Sequence, residues 1–398
     1  MLEVLSLKPE AFGLDISDLS LKVIQLERKR EGFDLASFGE TQIKPGIIRG
    51  GEIKDEEGLA KIIKKAIAEI KGKKIKTKYV IASLPEEKAF LQVIQMPRML
   101  EEDLKSAVIF EAENYIPLPI EDVYFDSQIV LPAKNHLDHY DVLIAALPRK
   151  TVDPYLSSLK KAGLQPLALE IESLAVARAL IKDEVTASPV LLIDLGATRT
   201  SFIIFSGHAL RFTSSIPVSS QKFTEAIARS MKVDLVKAEK MKFKYGLETK
   251  ANEEGGQVFD ALIPPLTDLI EQIKKYLDYY QTHAFHEHLL PDGKKVAKIL
   301  LCGGGANLIG LSDFLSHEVN LPVELGNPWI NILPEVNKRI PKLSPEKSFT
   351  FVSALGLALR GISIRAKMPK PSSLLAEDLV KAEKKESSST SSRKAGFD

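Results

Sequence analysis

The sequence predicts an α/β protein made of two copies of one strand-rich unit, and three observations carry that prediction. Two stretches in different halves read almost alike: "AFGLDISDLSLKVIQLERKREGFDLASFGETQI" and "VLLIDLGATRTSFIIFSGHALRFTSSIPV". Each opens with an apolar run, meets one aspartate (Asp15 or Asp194), turns through a short polar stretch and resumes as a strand. Each is then followed by the same series, so both halves run strand, strand, strand, helix, strand. The 398 residues are enough for two substantial domains.

Taken in order, the first hairpin is followed by Leu59, Ile62, Ile63, Ala66, Ile67 and Ile70 at helical spacing. A lysine-rich run, "KGKKIKTK", reads as a solvated turn, and "KYVIASLP" as a buried strand. A block of about 86–164 holds a strand at "FLQVIQM", a helix from Glu101 to Tyr115, strands at "VYFDSQIVL" and "YDVLIAALP", and a closing helix, "TVDPYLSSLKKAGL". This series predicts a small α+β module. In the second half "SQKFTEAIARSMKV" predicts a helix, and "VAKILLCGGGANL" the matching strand. Between them lies an insertion, about 234–295, with Leu262, Leu266, Leu269, Ile273, Tyr276 and Tyr280 on one helical face. The expected domains are a first lobe, 1–186, carrying the α+β insert and completed by 349–366, and a second lobe, 187–348. The Ser-, Lys- and Glu-rich residues 367–398 cannot bury enough surface to offset their ordering entropy and predict a disordered tail.

Composition narrows function. Lys and Arg number 54 against 53 Asp and Glu, so no global field favours nucleic acid. The single cysteine, Cys302, precludes an internal disulfide and reads as a small buried hydrophobe. Glu3, Lys8 and Glu10 interrupt any secretory pattern, and no uncharged apolar run approaches the roughly 18–20 residues of a membrane span. The expectation is a cytoplasmic protein.

The two hairpins point to chemistry. A tight turn between paired strands presents backbone N–H groups to phosphate oxygens, small residues permit close approach, and an acid ending the first strand can hold Mg²⁺ through water. "DLGATRT" supplies Asp194, Gly196, Thr198 and Thr200; "DISDLSLK" supplies Asp15, Ser17, Ser20 and Lys22. At matched positions of a duplicated unit they predict two jaws on one polyphosphate, with Asp15 and Asp194 at the metal. In "LLCGGGANLIGL", Gly303, Gly304 and Gly305 leave no side chain to obstruct a flat ring. In "AEKMKFKYG", Glu239 and Lys242 lie three apart on one helical face, so the carboxylate could accept ribose hydroxyls while the lysine flanks the base; an exposed ion pair is the alternative. No catalytic residue is singled out: Asp126 and Glu172 are acids a phosphotransfer base would need, in no recognisable motif. His283, His286 and His288, with His136 and His139, read as solvated rather than as a zinc site.

This constellation resembles the actin-like ATPase superfamily (actin, heat-shock chaperone ATPase domains, sugar kinases, MreB and FtsA) over nearly everything from Phe12 to Ile364. Asp15 to Lys22 resembles its first phosphate motif, Asp194 to Thr200 its second, and Cys302 to Gly310 its adenosine motif. The helix "ALGLALRGI" is similar to the one that crosses between its lobes. Within the superfamily the chain resembles the PilM family of type IV pilus assembly, best in "EAENYIPLPIEDVYFDSQIV", "EIESLAVARAL" and "LPVELGNPW". That resemblance implies two ribonuclease-H-like lobes with an FtsA-type insert in the first. It also implies ATP with Mg²⁺ between the lobes, hydrolysed at most slowly, and a groove in the first lobe for the cytoplasmic N-terminal peptide of a PilN-like inner-membrane protein. Membrane association would then be indirect, with possible homo-oligomers. The alternatives on the same fold are an FtsA-like polymerising cell-division protein and a small-molecule kinase. One departure stands out: Ser17 and Asp18 occupy positions where Gly-Ser is usual. Asp18 beside a triphosphate would cost affinity unless it turns outward or joins the metal shell. "INILPEVNKR" looks like the short apolar-then-charged peptide a PilN-type partner presents; a real likeness would let it mimic that peptide in a neighbour's groove, and a chance likeness over so short a stretch is the preferred reading.

Overall fold

The computed structural model describes residues 10–30, 32–130, 139–248, 253–283, 295–333 and 343–366. Strand β1 (Ala11–Ile16) is buried at every position, as a strand with neighbours on both faces must be. It pairs antiparallel with β2 (Ser20–Arg28), which sets Asp15 opposite Lys22, and β2 pairs with β3 (Phe33–Gln42). A short hairpin, β4 (Ile48–Arg49) and β5 (Glu52–Ile53), leads into α1 (Glu56–Ala68). Asp55 caps that helix by accepting from the Gly58 N–H, Glu56 and Glu57 complement its dipole, and Leu59, Ala60, Ile63 and Ala66 are buried. After β6 (Lys71–Gly72) the chain returns as β7 (Tyr79–Leu84), parallel to β1.

The insert follows: β8 (Phe90–Pro97), α2 (Glu101–Ala112), β9 (Val123–Val130) and β10 (His139–Pro148) form a three-stranded sheet in the order β8-β10-β9 around Ile94, Met96, Leu104, Val108 and Ile144. Helix α3 (Arg149–Lys161), which the sequence pattern groups with this block, belongs instead to the first lobe's core: Val152, Tyr155 and Leu159 pack with Phe12, Leu14 and Ile63. Then come β11 (Gln165–Ile171) and α4 (Glu172–Leu180).

The second lobe repeats the plan with β12 (Thr186–Leu195), β13 (Thr200–Gly207), β14 (Ala209–Ile216), α5 (Ser220–Met231), α6 (Leu235–Tyr245), α7 (Glu253–His283), β15 (Lys298–Cys302), α8 (Leu311–Val319) and β16 (Val323–Leu325). The orders β3-β2-β1-β7-β11 and β14-β13-β12-β15-β16 coincide, and so do the directions of every pairing. The duplication read from two hairpins is therefore a duplication of the whole sheet. In α7, Leu262, Leu266, Leu269, Ile273 and Tyr280 are buried, as their spacing requires. His283 ends that helix, stacked on Tyr279; His136, His286, His288 and the tail from 367 lie outside the described residues. Among the described residues no helix is long and apolar enough to cross a membrane.

After α9 (Pro345–Thr350), α10 (Val352–Ala366) crosses back to the first lobe and packs on α4 and β1. Glycine permits this approach. A Cβ on Gly356 would lie 1.9 Å from the Ala175 carbonyl oxygen, and one on Gly13 would lie 2.5 Å from that of Ala354. Buried Glu170 ties the crossing by accepting from Arg178 at 2.6 Å and pairing with Arg360 at 3.0 Å. The preceding segment argues against mimicry of a partner peptide. Ile332 and Leu333 are buried with Ile24, Leu35 and Leu355, and the Asn331 amide donates to the carbonyls of Arg178 and Ile181. The apolar half of "INILPEVNKR" is thus engaged by its own chain rather than offered to a neighbour; the residues from 334 on are outside the described range.

Candidate functional site

A cavity of about 490 Å³ opens between the two sheets, lined from both lobes. The first lobe contributes the turn between β1 and β2. The Ser17 N–H donates to the Ser20 carbonyl (2.9 Å), the two hydroxyls meet at 3.0 Å, and Ser20 Oγ accepts from Lys22 Nζ (2.9 Å). Nζ also stands 3.6 Å from Asp15 Oδ2, so the lysine is aimed along the acid and into the cavity. Asp18 also lines the cavity, but its carboxylate is engaged. Its carboxylate accepts from the N–H groups of Gly50 (2.9 Å) and Gly51 (3.0 Å) in the β4–β5 turn, where both glycines have positive φ. The Gly51 carbonyl in turn accepts from the Tyr155 hydroxyl at 3.1 Å. Two backbone donors thereby offset part of the charge that would repel a phosphate, and the remainder helps to raise Glu87. Asp18→Ala is expected to cost about 2 kcal/mol of stability by orphaning those donors, while nucleotide affinity holds or improves; urea unfolding beside calorimetric titration checks both.

The second lobe contributes the β12–β13 turn. The Gly196 N–H donates to the Arg199 carbonyl, and Ser220 and Gln221 at the start of α5 donate to the carbonyls of Gly196 and Ala197. Asp194, Gly196 and Thr198 line the cavity. Thr200 does not: its buried hydroxyl donates to the Val218 carbonyl at 2.8 Å, fixing the strand to the approach of α5. Gly303, with φ +82°, is where a Cβ would fall 2.2 Å from Asp194 Oδ1, so only glycine lets this turn lie against the acid. Gly304 also lines the cavity and is open, its nearest neighbour Thr350 Cγ2 at 3.6 Å. Gly305 serves packing against Leu195 and faces away from the cavity wall. Glu239 lines the cavity; Lys242 does not, its buried Nζ lying among Ser220, Thr224 and Glu239.

Folding also brings in residues the sequence did not nominate. Glu87 arrives on a short 3₁₀ turn after β7, Tyr155 from α3, Arg199 from the second hairpin, Asn307 from the glycine turn and Phe243 from α6. Of the two acids weighed for phosphotransfer, Glu172 lines the cavity, whereas Asp126 is exposed on β9. The only signal for Glu87 was a pair of glutamates directly after a buried strand.

Carboxylates dominate the electrostatics. Burial, reinforced by the charge of Asp15, lifts Asp194 to about 6 against the pull of Lys22. Burial, then Asp15 and Glu87, pushes Glu172 well above the ordinary carboxylate range, and burial raises Glu87 as well. A site this acidic, with Lys22 and Arg199 as its cations, repels a bare polyphosphate and fits one that brings its own cation. Among the described residues no three acid, histidine or cysteine side chains converge to hold a metal alone. A Mg²⁺ ion would be shared with phosphate oxygens and water, as this ion prefers. The residues present therefore fit a magnesium nucleotide.

Residues 13–362 match the model of the family described as type IV pilus assembly protein PilM. Among curated relatives, the cell division protein FtsA of Neisseria meningitidis is 23% identical over 229 residues, 54% of this chain and 52% of that one. FtsA of Streptococcus pneumoniae is 23% identical over 354 residues, 79% and 75% of the two chains. The match thus spans about half the length of the first relative. Among solved structures, a PilM-PilN type IV pilus biogenesis complex superposes with a TM-score of 0.71 at 29% identity, covering 89% of this chain and 99% of that one. An MreB of Spiroplasma citri bound to AMPPNP superposes with a TM-score of 0.53 at 13% identity, covering 90% and 98%. The actin-like ATPase fold that the resemblance implies is the fold these neighbours share.

Proposed function

Because this chain belongs to the family of type IV pilus assembly protein PilM, we propose that it is a nucleotide-gated cytoplasmic scaffold. In this reading MgATP bridges the two lobes, and the first lobe recruits the cytoplasmic N-terminal peptide of a PilN-like inner-membrane protein. The observation that carries it is the interlobe cavity in which Asp15 and Asp194 end equivalent strands, with the charge of Asp15 helping to raise Asp194. Asp15 and Asp194 would hold Mg²⁺ through water, and the ion would neutralise phosphate charge. Lys22, oriented by Ser20, takes a phosphate oxygen; the Ser17 and Thr198 hydroxyls and the Gly196 turn complete the two jaws. Gly303 and Gly304 form a bare wall for the nucleoside. A ligand touching both lobes favours the closed arrangement by its differential affinity for that state.

The partner's chemistry has support on the insert. Around α2, Leu100, Phe110, Leu118 and Tyr124 are exposed, Phe110 to 74%; Glu102, Glu113 and Glu121 are exposed on the same stretch of chain, and Arg149 stacks on the Tyr124 ring. Cytoplasmic flanks of inner-membrane proteins are rich in Lys and Arg, so an exposed apolar stretch with acids along it complements such a peptide. Fluorescence anisotropy with the N-terminal peptide of the PilN-like protein is the test. Phe110→Asp and Glu113→Lys should each weaken binding, by about tenfold for the former, and full-strength binding by both variants would remove this surface from the proposal. The 29% identity to the PilM of a PilM-PilN complex supports the partner class.

A further inference from the structure

The lysine run that joins α1 to β7 has no part in the reading so far. From 61 to 78 the sequence holds eight lysines and one acid, Glu69, in a chain whose basic and acidic totals are 54 and 53. A solvated turn would let such charges spread apart, but this backbone is pinned. The Lys73 N–H donates to the Ala36 carbonyl (3.0 Å), and the Lys73 carbonyl accepts from the Ser37 hydroxyl. Ile75 is buried in the first lobe's core, and the Lys78 carbonyl accepts from the Gln165 N–H at 2.8 Å. Lys71, Lys73, Lys74, Lys76 and Lys78 are left exposed along the outer edge of the sheet, where β6 pairs with β3. The turn after β2 adjoins them: Lys29 (2.7 Å) and Lys73 both reach Glu27, and Arg28 and Arg30 are exposed beside it. Lys65 pairs with Glu69 at 4.0 Å. Asp34, opposite Glu27, and Glu10, whose carbonyl accepts from the Thr77 hydroxyl, are the other acids of this edge among the described residues.

We propose that this edge is a docking surface for an anionic lipid bilayer. Like charges fixed close together repel, and a surface of opposite sign offsets that repulsion. Basic clusters of this size are drawn to a negative cytoplasmic leaflet once within a Debye length of it. The chemistry of the cluster favours lipid over nucleic acid. Lysine is a compact point charge on a flexible stem, suited to headgroups that shift position, and it lacks the fork that grips a phosphate in fixed geometry. The Phe33 and Tyr79 rings could have stacked on bases, but Arg28 and Lys78 lie over them, each at 5.7 Å. Placement fits as well. Strand β2 carries Ser20 and Lys22 into the cavity at one end and reaches Arg28 at the other, about 25 Å away. A bilayer at the basic edge therefore leaves the cavity mouth open. The contact is direct, needs no partner peptide and does not rest on the nucleotide reading.

Flotation of the nucleotide-free full chain with vesicles tests this, using phosphatidylcholine alone or with roughly one third phosphatidylglycerol. Wild type should float with the anionic vesicles and not with the neutral ones, and should be released as salt rises to about 0.5 M. Lys73→Gln/Lys74→Gln/Lys76→Gln should weaken binding on the order of a hundredfold, at about fivefold per lysine. Its circular dichroism should match wild type; if it fails to fold, Arg28→Gln/Arg30→Gln decides, with a loss of about twentyfold. A matched triple on the second lobe, Lys222→Gln/Lys237→Gln/Lys274→Gln, should bind as wild type does. The proposal is overturned if wild type ignores anionic vesicles or binds neutral ones equally. It is overturned as well if the first triple variant binds undiminished, or if the second-lobe triple loses as much. A single-stranded oligonucleotide that displaces wild type from the vesicles at equal phosphate concentration would give the edge to nucleic acid and overturn it too.

Discussion

Asp194→Asn is expected to make the metal-free protein more stable while it removes magnesium-nucleotide binding. The carboxyl of Asp194 is raised from 3.8 to about 6, first by burial and then by Asp15. Between those two values the folded state holds more protons than the unfolded one, so stability falls as pH rises through this window and stays lowered above it. Asparagine has no charge to bury and escapes that fall. The variant should gain about 2–3 kcal/mol at pH 7.5, and the gain should vanish below about pH 4, where the wild-type carboxyl is neutral in both states. Denaturation at the two pH values measures this. In calorimetric titration, the same variant should lose about a hundredfold or more in MgATP affinity. Opposite signs in stability and binding distinguish a binding acid from a structural one.

Gly356→Val should be the most damaging single change outside the cavity. Any Cβ there meets the Ala175 carbonyl oxygen at 1.9 Å and its carbon at 2.6 Å, and neither is the end of a flexible side chain. Helices α4 and α10 would have to separate, opening the packing of α10 on β1 and the contact of Arg178 with the Gly356 carbonyl. Overpacking of this kind costs about 3 kcal/mol or more, and because α10 spans the lobes the loss should appear as one cooperative drop in melting temperature. Gly304→Ala is the contrast. Its nearest neighbour lies at 3.6 Å, an ordinary contact, so its stability should change by less than about 1 kcal/mol. Equal melting shifts for the two variants would show that close helix approach is not what the glycine provides.

What the sequence made legible follows from periodicity. Apolar runs ending in a single aspartate marked β1 and β12, and because both sheets have the same strand order, finding the hairpins was enough to find the duplication. The apolar face of α7 was equally readable, since five of its residues recur at helical spacing. Directions of side chains were harder. Spacing puts Glu239 and Lys242 on one helix face, but a lysine has four rotatable bonds, and burial against Ser220 and Thr224 turned it away from the cavity. Thr200 was readable in principle: side chains alternate along β13, so with Ser201 on the cavity wall Thr200 faces the core. Glu87, Glu172 and Tyr155 come from three separate segments, and only the fold brings them together. Asp18 looked like a liability because its partners, Gly50 and Gly51, lie more than thirty residues away.

A crystal grown with Mn²⁺ and a slowly hydrolysed ATP analogue, and measured for anomalous scattering from manganese, tests the central claim most directly. One anomalous peak is predicted in the cleft, within water-bridging distance of both Asp15 and Asp194, with phosphates against the two turns. A nucleotide seated with its metal beside only one of those carboxylates, or anywhere outside the interlobe cavity, would contradict it.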